Sequence, residues 1–372
     1  MKTYGIIMAG GGGTRFWPLS RKALPKQFLN LTGRDILVNE TFDRLTQVIA
    51  KENIFVVTNS LYAEKTLELM EGRMSEDHIL KEPAARNTAA CIGYAAMEIL
   101  RKYGDGILCI VPSDHYIRQE VLYARALQKG MELAEKGDCL VTIGIAPAYP
   151  ATGYGYIKSS AAENGNEANP VNSAGRCCGQ PADYRVVEEF VEKPSKEVAE
   201  EYLRTGCYFW NSGIFIWKAS VILNSFEKLL PDIYDCLVKI GESMGSREES
   251  RVIKEVYPGI PKLSIDYGIM ERADNVVMIE GAFDWNDVGS LDAIALLHDA
   301  DAGGNVGVGS HILMDTERTI CYSKDKLIAA SGVKDLIIVE AEDAILVCPR
   351  EKAQDVKQLV EFLEANGKGQ YL

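Results

Sequence analysis

Several large protein classes leave no trace in this sequence. No apolar run approaches the roughly 18 residues that a membrane-crossing helix needs, and Met1–Ile6 does not begin a secretion signal. No lysine- and arginine-rich run occurs, and the formal net charge is -13, which counts against a surface for nucleic acid or anionic membrane. Nine cysteines are present without disulfide or metal-ligand spacing, so a reducing cytoplasm is the expected setting. The four histidines, His78, His115, His298 and His311, show no i,i+4 pairing, and there is no Cys-x-x-Cys, which argues against a zinc site. The one Gly-x-Ser-x-Gly string, Gly241–Gly245, follows no β-branched run as a strand-to-helix elbow would, so a hydrolase triad is unsupported.

What is there is an ordinary globular composition over 372 residues, 47% hydrophobic and 25% charged. That length can bury a sizeable core and predicts two domains, or one large α/β domain with an appendix. Cys91, Cys109 and Cys348 lie in apolar runs and read as small core residues, whereas Cys177 and Cys178 fall in a polar stretch. Strand-like runs at Tyr4–Ala9, Ile54–Thr58, Ile107–Val111 and Leu140–Ile145 alternate with helical patterns at Glu40–Ala50, Ala84–Tyr103 and Val121–Lys136. Such alternation predicts a buried, mostly parallel sheet with ligands beyond the carboxyl ends of its strands. Gly10–Arg15 and Pro112–His115 follow two of those ends.

Residues Ser159–Tyr184, rich in Gly, Ala, Asn and Ser, read as a surface loop. Strands are then expected at Val186–Glu192 and Phe209–Trp217, and a helix at Ser290–His298. The texture changes near Asp299–Gly304, where a boundary divides residues 1–301 from a short β-rich appendix, 302–372. The appendix holds runs at Leu336–Val339 and Ala344–Val347 and a helix near Glu351–Ala365. The apolar stripe of that helix is Ala353, Val356, Val360 and Leu363.

The strongest chemical signal is Ala9-Gly10-Gly11-Gly12-Gly13-Thr14-Arg15, with Pro18-Leu19-Ser20 and Pro25-Lys26-Gln27-Phe28 behind it. Four glycines after a strand cost conformational entropy. They make sense where backbone amides must approach an anion with no Cβ in the way, and Arg15 and Lys26 would bring fixed positive charge to the same phosphates. The string Gly-x-x-x-x-Gly-Lys-Ser/Thr is absent. The dinucleotide fingerprint fails as well, because Arg15 stands where its last glycine belongs. Asp114, just past an apolar run, and Asp287, in an Asn-Asp-Val-Gly turn, are the carboxylates placed to hold a hard cation such as Mg²⁺. Alone, each would as readily cap a turn or helix. Phe16, Trp17 and Trp217 read as core rather than as stacking platforms.

The Gly-rich loop with Thr14-Arg15 and Pro25-Lys26 resembles the signature of nucleoside-diphosphate-sugar pyrophosphorylases. Within them the chain resembles mannose-1-phosphate guanylyltransferases almost end to end. Seven further strings carry that resemblance: Glu82–Thr88, Pro112–His115, Thr152–Ile157, Phe190–Pro194, Trp210–Gly213, Ser264–Tyr267 and Trp285–Ser290. The resemblance implies a Rossmann-like, GT-A-like α/β fold. Its sheet would be mixed but mostly parallel, flanked by helices and followed by a small β-helix-like appendix with a helix.

The same resemblance implies GMP transfer from GTP to mannose 1-phosphate, with Mg²⁺ on Asp114 and Asp287. Ala9, Gly10–Gly13, Thr14 and Ser113 would meet the nucleotide, with Glu82, Arg86, Asn87 and Thr88 on its base and ribose. Gly155, Glu192, Asn211 and Asp287 would meet the sugar. Arg15, Lys26 and Lys193 would be the catalytic cations. His115, next to Asp114 in sequence, is expected near the phosphates or as a support for Asp114 alone. A homodimer through the appendix is implied too. Longer members add an isomerase domain, for which there is no room before Leu372, so a transferase without isomerase activity is expected. Two alternatives stay open: a nucleotidyltransferase for another sugar, and a non-catalytic sugar-nucleotide sensor, although a sensor would be expected to have lost the Arg, Lys or Asp set.

Overall fold

The β-branched runs of the first half are buried on both faces, and this makes them strands of a covered sheet rather than an amphipathic surface. The computed structural model describes residues 1–159 and 184–372. The loop read at Ser159–Tyr184 lies, apart from its two end residues, outside the described residues, and so do Cys177 and Cys178. Two compact units are formed. Unit 1 comprises Met1–Gly10, Phe42–Pro112 and Ile117–Trp285, and unit 2 comprises Gly11–Thr41, Ser113–Tyr116 and Asn286–Leu372. Residues on both sides of the boundary read near Asp299–Gly304 contribute to unit 2. Segments far apart in sequence share one apolar core in unit 2, which a change of texture along the chain cannot reveal.

The strands in chain order are β1 (Thr3–Ala9), β2 (Ile54–Asn59), β3 (Ile79–Glu82), β4 (Ile107–Pro112), β5 (Tyr116–Ile117), β6 (Leu140–Ile145), β7 (Tyr156–Ser159), β8 (Arg185–Val191), β9 (Tyr208–Lys218), β10 (Val276–Gly281) and β11 (Trp285–Asn286). Nine of them form the sheet of unit 1 in the order β3-β2-β1-β4-β9-β6-β10-β8-β7. Pairing is parallel through β3-β2-β1-β4 and again between β6 and β10. It turns antiparallel wherever β9 or β8 takes part. The sheet is mixed as expected, but the pairings of β8 and β9 make it less predominantly parallel than predicted.

The helix Asn87–Tyr103 is buried continuously from Ala89 to Ile99. A helix apolar all round must be covered on every side. Gly93 lets Leu237 close in, since a Cβ there would come 2.5 Å from its Cδ1.

Several helix bounds are corrected. The helix read at Glu40–Ala50 spans Leu37–Leu45. β-branched residues follow it, and Thr46 Oγ1 donates 2.7 Å to the Asp43 carbonyl, a side-chain bond that competes with further helix. The helix read from Ala84 begins at Asn87, after Pro83. Ser290–His298 resolves into a 3-10 turn, Leu291–Ala293, and one helical turn, Ile294–Leu297. In the appendix a 3-10 segment, Arg350–Asp355, precedes the α-helix Val356–Ala365.

Unit 2 contains β12 (Val306–Val308), β13 (His311–Met314), β14 (Ile320–Ser323), β15 (Ile328–Ser331), β16 (Leu336–Ala341) and β17 (Ala344–Pro349). β12, β14 and β16 stack in parallel with Val306, Ile320 and Ile337 in register, and β13 pairs β15 in the same way, which is the build of a β-helix. Buried Glu340 gathers the backbone amides of Lys324, Asp325 and Lys326. The Lys326 ammonium and these amides hold its carboxyl down at about 2. Phe16, Leu19, Leu29 and Leu31 join Val306, Ile320, Ile337 and Val356 in the core of the unit. Among the described residues no helix is long and apolar enough to cross a membrane.

Because Ile337 is fully buried in that stacked column, Ile337→Ala should lower unfolding stability by about 2–5 kcal/mol. Urea denaturation followed by circular dichroism checks this, and a shift under about 1 kcal/mol would mean that the column is not a core.

Candidate functional site

In unit 2 the chain leaves the Gly-rich loop through Gly13, whose φ is 64°. A Cβ at Gly13 would lie 2.4 Å from the Lys26 Cβ and 2.9 Å from its amide nitrogen, so only glycine fits. The Gly13 carbonyl accepts from the Phe16 amide at 2.9 Å and from Ser20 Oγ at 2.6 Å, which accounts for the serine of Pro18-Leu19-Ser20. Gly11 and Gly12 differ: a Cβ at either would meet nothing within 4 Å. The fold does not require glycine there, and the backbone borders open space.

Lys26 is only 6% exposed. Its ammonium donates to Asp114 Oδ2 at 2.8 Å and to the Asp287 carbonyl at 2.7 Å. Burial alone would raise the Asp114 carboxyl, but the Lys26 ammonium, with His115 beside it, outweighs that and holds it below the usual range. Asn286 Oδ1 accepts from the Val288 amide at 2.7 Å and closes the turn that presents Asp287. Val288 takes a φ of 48°, which is uncommon for a β-branched residue. At Gly289 a Cβ would crowd Asp287 Oδ2 at 3.0 Å.

Gly13, Thr14, Arg15, Lys26, Asp114, His115, Asp287 and Lys357 line one cavity of about 370 Å³. No group of three or more His, Cys, Asp or Glu fit for a metal occurs among the described residues. The donor set is thus two carboxylates, which suits a hard cation that keeps waters and takes phosphate oxygens. Buried Ser113 does not line the cavity. Its carbonyl accepts from Thr41 Oγ1 at 3.2 Å.

Unit 1 gathers the remaining predicted residues into two clusters. Glu82 is buried and accepts from the Tyr257 hydroxyl, and burial pushes its carboxyl up to about 7. A Cβ on Gly10 would approach Glu82 Oε2 at 3.3 Å, and the Ala9 carbonyl accepts from Thr58 Oγ1 at 2.9 Å. Arg86 donates to the Pro258 carbonyl. Asn87, with φ 68°, accepts from the Thr88 amide at 2.8 Å, and Thr88 Oγ1 accepts from the Ile265 amide at 2.8 Å.

In the second cluster Asn211 donates 2.7 Å to Asp266 Oδ1, and its own amide donates 2.8 Å to the Gly155 carbonyl. A Cβ on Gly155 would come 2.8 Å from Glu192 Oε2, so glycine there makes room for that carboxylate. Lys193, with φ 42°, pairs with Glu192 at 3.0 Å and is largely exposed.

Some motif residues pack rather than face a ligand. Tyr154 sits edge-on to both Trp210 and Trp285. Phe16 and Trp217 are buried as expected, whereas Trp17 is half-buried and donates 2.7 Å to the Tyr371 carbonyl. Asp266 and Tyr257 had no predicted role. Asp266 lay inside a recognised string, Ser264–Tyr267, and its position on a π turn, Asp266–Met270, was not legible there. Burial raises its carboxyl, partly offset by Asn211.

Residues 4–303 match the nucleotidyl transferase family model, and residues 309–363 match that of the MannoseP isomerase/GMP-like beta-helix domain. The chain is 36% identical over 370 residues to mannose-1-phosphate guanylyltransferase of Klebsiella pneumoniae, covering 98% of this chain and 75% of that one. It is 38% identical to xanthan biosynthesis protein XanB of Xanthomonas campestris pv. campestris, covering 98% and 74%. A crystal structure described as mannose-1-phosphate geranyltransferase from Thermus thermophilus superposes with a TM-score of 0.84 at 33% identity, covering 98% of this chain and all of that one.

The raised Glu82 carboxyl makes stability depend on pH. The folded chain holds a proton that the unfolded chain has lost, so stability falls as pH rises from the ordinary glutamate range through about 7. Glu82→Gln, which mimics the neutral acid, should gain stability relative to wild type as pH rises from 5 to 8, by on the order of 1–3 kcal/mol. Parallel urea titrations at several pH values check this, and a pH-independent difference would rule it out.

Proposed function

Since the chain belongs to the nucleotidyl transferase family, among the mannose-1-phosphate guanylyltransferases, we propose that it transfers GMP from GTP to α-D-mannose 1-phosphate, releasing GDP-mannose and pyrophosphate. One observation carries this reading: the Asp114 and Asp287 carboxylates share a cavity with the loop Gly13–Arg15 and the Lys26 ammonium. A phosphate oxygen of the sugar attacks the α-phosphorus in line, the bond to the β-phosphate breaks, and pyrophosphate leaves with the electron pair. The attacking oxygen is already anionic, so the residues need only position and neutralise charge.

The bare amides of Gly11 and Gly12 receive phosphate oxygens, and Arg15 meets the leaving group. Lys26 holds Asp114 in place and ionised. Asp114 and Asp287 would hold Mg²⁺, which when bound neutralises charge on phosphate oxygens. In unit 1, Glu82, Arg86, Asn87 and Thr88 serve the base and ribose. Glu192, Asn211 and Gly155 serve the sugar hydroxyls, and Lys193 steers the sugar phosphate. The non-catalytic sensor reading is disfavoured, because the cations and carboxylates that chemistry needs are present together.

A pyrophosphate-release screen over nucleoside triphosphates and sugar 1-phosphates tests the reading. GTP with mannose 1-phosphate should be fastest, and Asp114→Ala and Asp287→Ala should each lower turnover by at least about a hundredfold with the fold retained. A different preferred pair would overturn the substrate, and no release with any pair would overturn the transfer reaction.

A homodimer is also proposed. Ile312 and Met314 on β13, Ile345 and Val347 on β17, and Leu359 and Phe362 on the last helix leave apolar side chains exposed on unit 2, Phe362 by 65%. Light scattering should give a dimer for the wild type and a monomer for Ile345→Lys with Phe362→Glu. A monomeric wild type at high micromolar concentration would exclude this.

A further inference from the structure

We propose that Lys357, in the first turn of the C-terminal helix, is a phosphate-binding residue that meets the terminal phosphates of the nucleotide and the departing pyrophosphate. The inference rests on the nucleotidyl-transfer reading above, and none of the recognised strings contains Lys357.

Of Arg15 and Lys26, the signature cations that line the cavity, Lys26 is committed: it is buried, and it donates both to Asp114 and to the Asp287 carbonyl. Its charge is matched by the carboxylate it touches. Arg15 and Lys26 match the charge of Asp114 and Asp287, so before any Mg²⁺ is counted these four side chains offer no surplus for a pyrophosphate that brings several negative charges. Lys357 lines the same cavity and adds a further cation from the chain itself. Its recorded ion pair is with Glu361, 3.4 Å away on the same helix, with both side chains more than half exposed. Such a pair contributes little and yields to a better anion.

The position of Lys357 is fixed by its neighbours. Val356, the residue before it, is 1% exposed and packs in one core with Phe16 and Leu19, as does Ala353. The chain after the helix is tied to the signature segment where Trp17 Nε1 donates 2.7 Å to the Tyr371 carbonyl. Lys22 pairs with Glu364 at 2.7 Å. The backbone beneath Lys357 is therefore anchored to the stretch that carries Gly13, Thr14 and Arg15, while its long side chain is free to follow a phosphate. A flexible ammonium on a fixed base suits a group that must bind a triphosphate and then release pyrophosphate.

Inorganic pyrophosphate is the probe, titrated calorimetrically into the full chain with Mg²⁺ present, for wild type, Lys357→Ala, Lys357→Glu and Lys357→Arg. Lys357→Ala should bind roughly tenfold more weakly, Lys357→Glu more weakly still, and Lys357→Arg close to wild type. The KM for GTP should rise in the same order while that for mannose 1-phosphate stays put, and melting temperatures should not move, because the side chain is exposed. Pyrophosphate binding by the Ala and Glu variants within about twofold of wild type would overturn the proposal. Binding is read without turnover, so the two readings fail separately. A wild type inactive with GTP and mannose 1-phosphate overturns the substrate assignment. An active wild type with indifferent variants overturns the role of Lys357 alone.

Discussion

The Lys26 ammonium lies between a carboxylate supplied just past the end of β4 and a carbonyl supplied by the turn at Asp287. A buried charge is tolerated only when paired and hydrogen-bonded, so this contact binds three stretches far apart in sequence to one geometry. The stem of Lys26 leaves no room for a side chain on Gly13, and Gly13 in turn anchors Phe16 and Ser20 through its carbonyl. The loop, the stretch after β4 and the turn are thus braced by one residue. A site that must stabilise charge without reorganising needs that kind of bracing.

Backbone conformation points to the same places. Among the described residues before the β-helix, the non-glycine residues with left-handed φ are Asn87, Lys193 and Val288. Each costs conformational energy that the surrounding contacts must offset, and such strain gathers at functional positions. The glycines divide in a complementary way. Gly13 is required by nearby protein atoms, Gly155 and Gly289 sit close against the Glu192 and Asp287 carboxylates, and Gly11 and Gly12 border open space.

Much of this was legible in the residues. β1, β2, β4 and β6 fall where β-branched runs predicted, because strands covered on both faces write themselves as continuous apolar sequence. The loop, Lys26, Asp114 and Asp287 were identifiable as a set, and they share one cavity. What escaped was long-range. The antiparallel strand β9 sits between β4 and β6, and no local pattern announces an insertion. The composition of unit 2 depends on Phe16 and Leu19 meeting Val306 and Ile337, which only the folded chain brings about. Asp266 and Lys357 were missed for the same reason: one stands on a π turn and the other on an amphipathic helix, where a polar residue reads as solvated surface.

The interleaved make-up of unit 2 also bears on how the molecule comes into being. Gly11–Thr41 is synthesised early, but the core it joins is completed only by Asn286–Leu372. While the intervening residues emerge, Phe16, Leu19, Leu29 and Leu31 have no finished core to enter. That part of the Gly-rich loop must therefore wait for the helix Val356–Ala365. Such distant closure is slow and leaves apolar surface open to chance encounters until Asn286–Leu372 has been made.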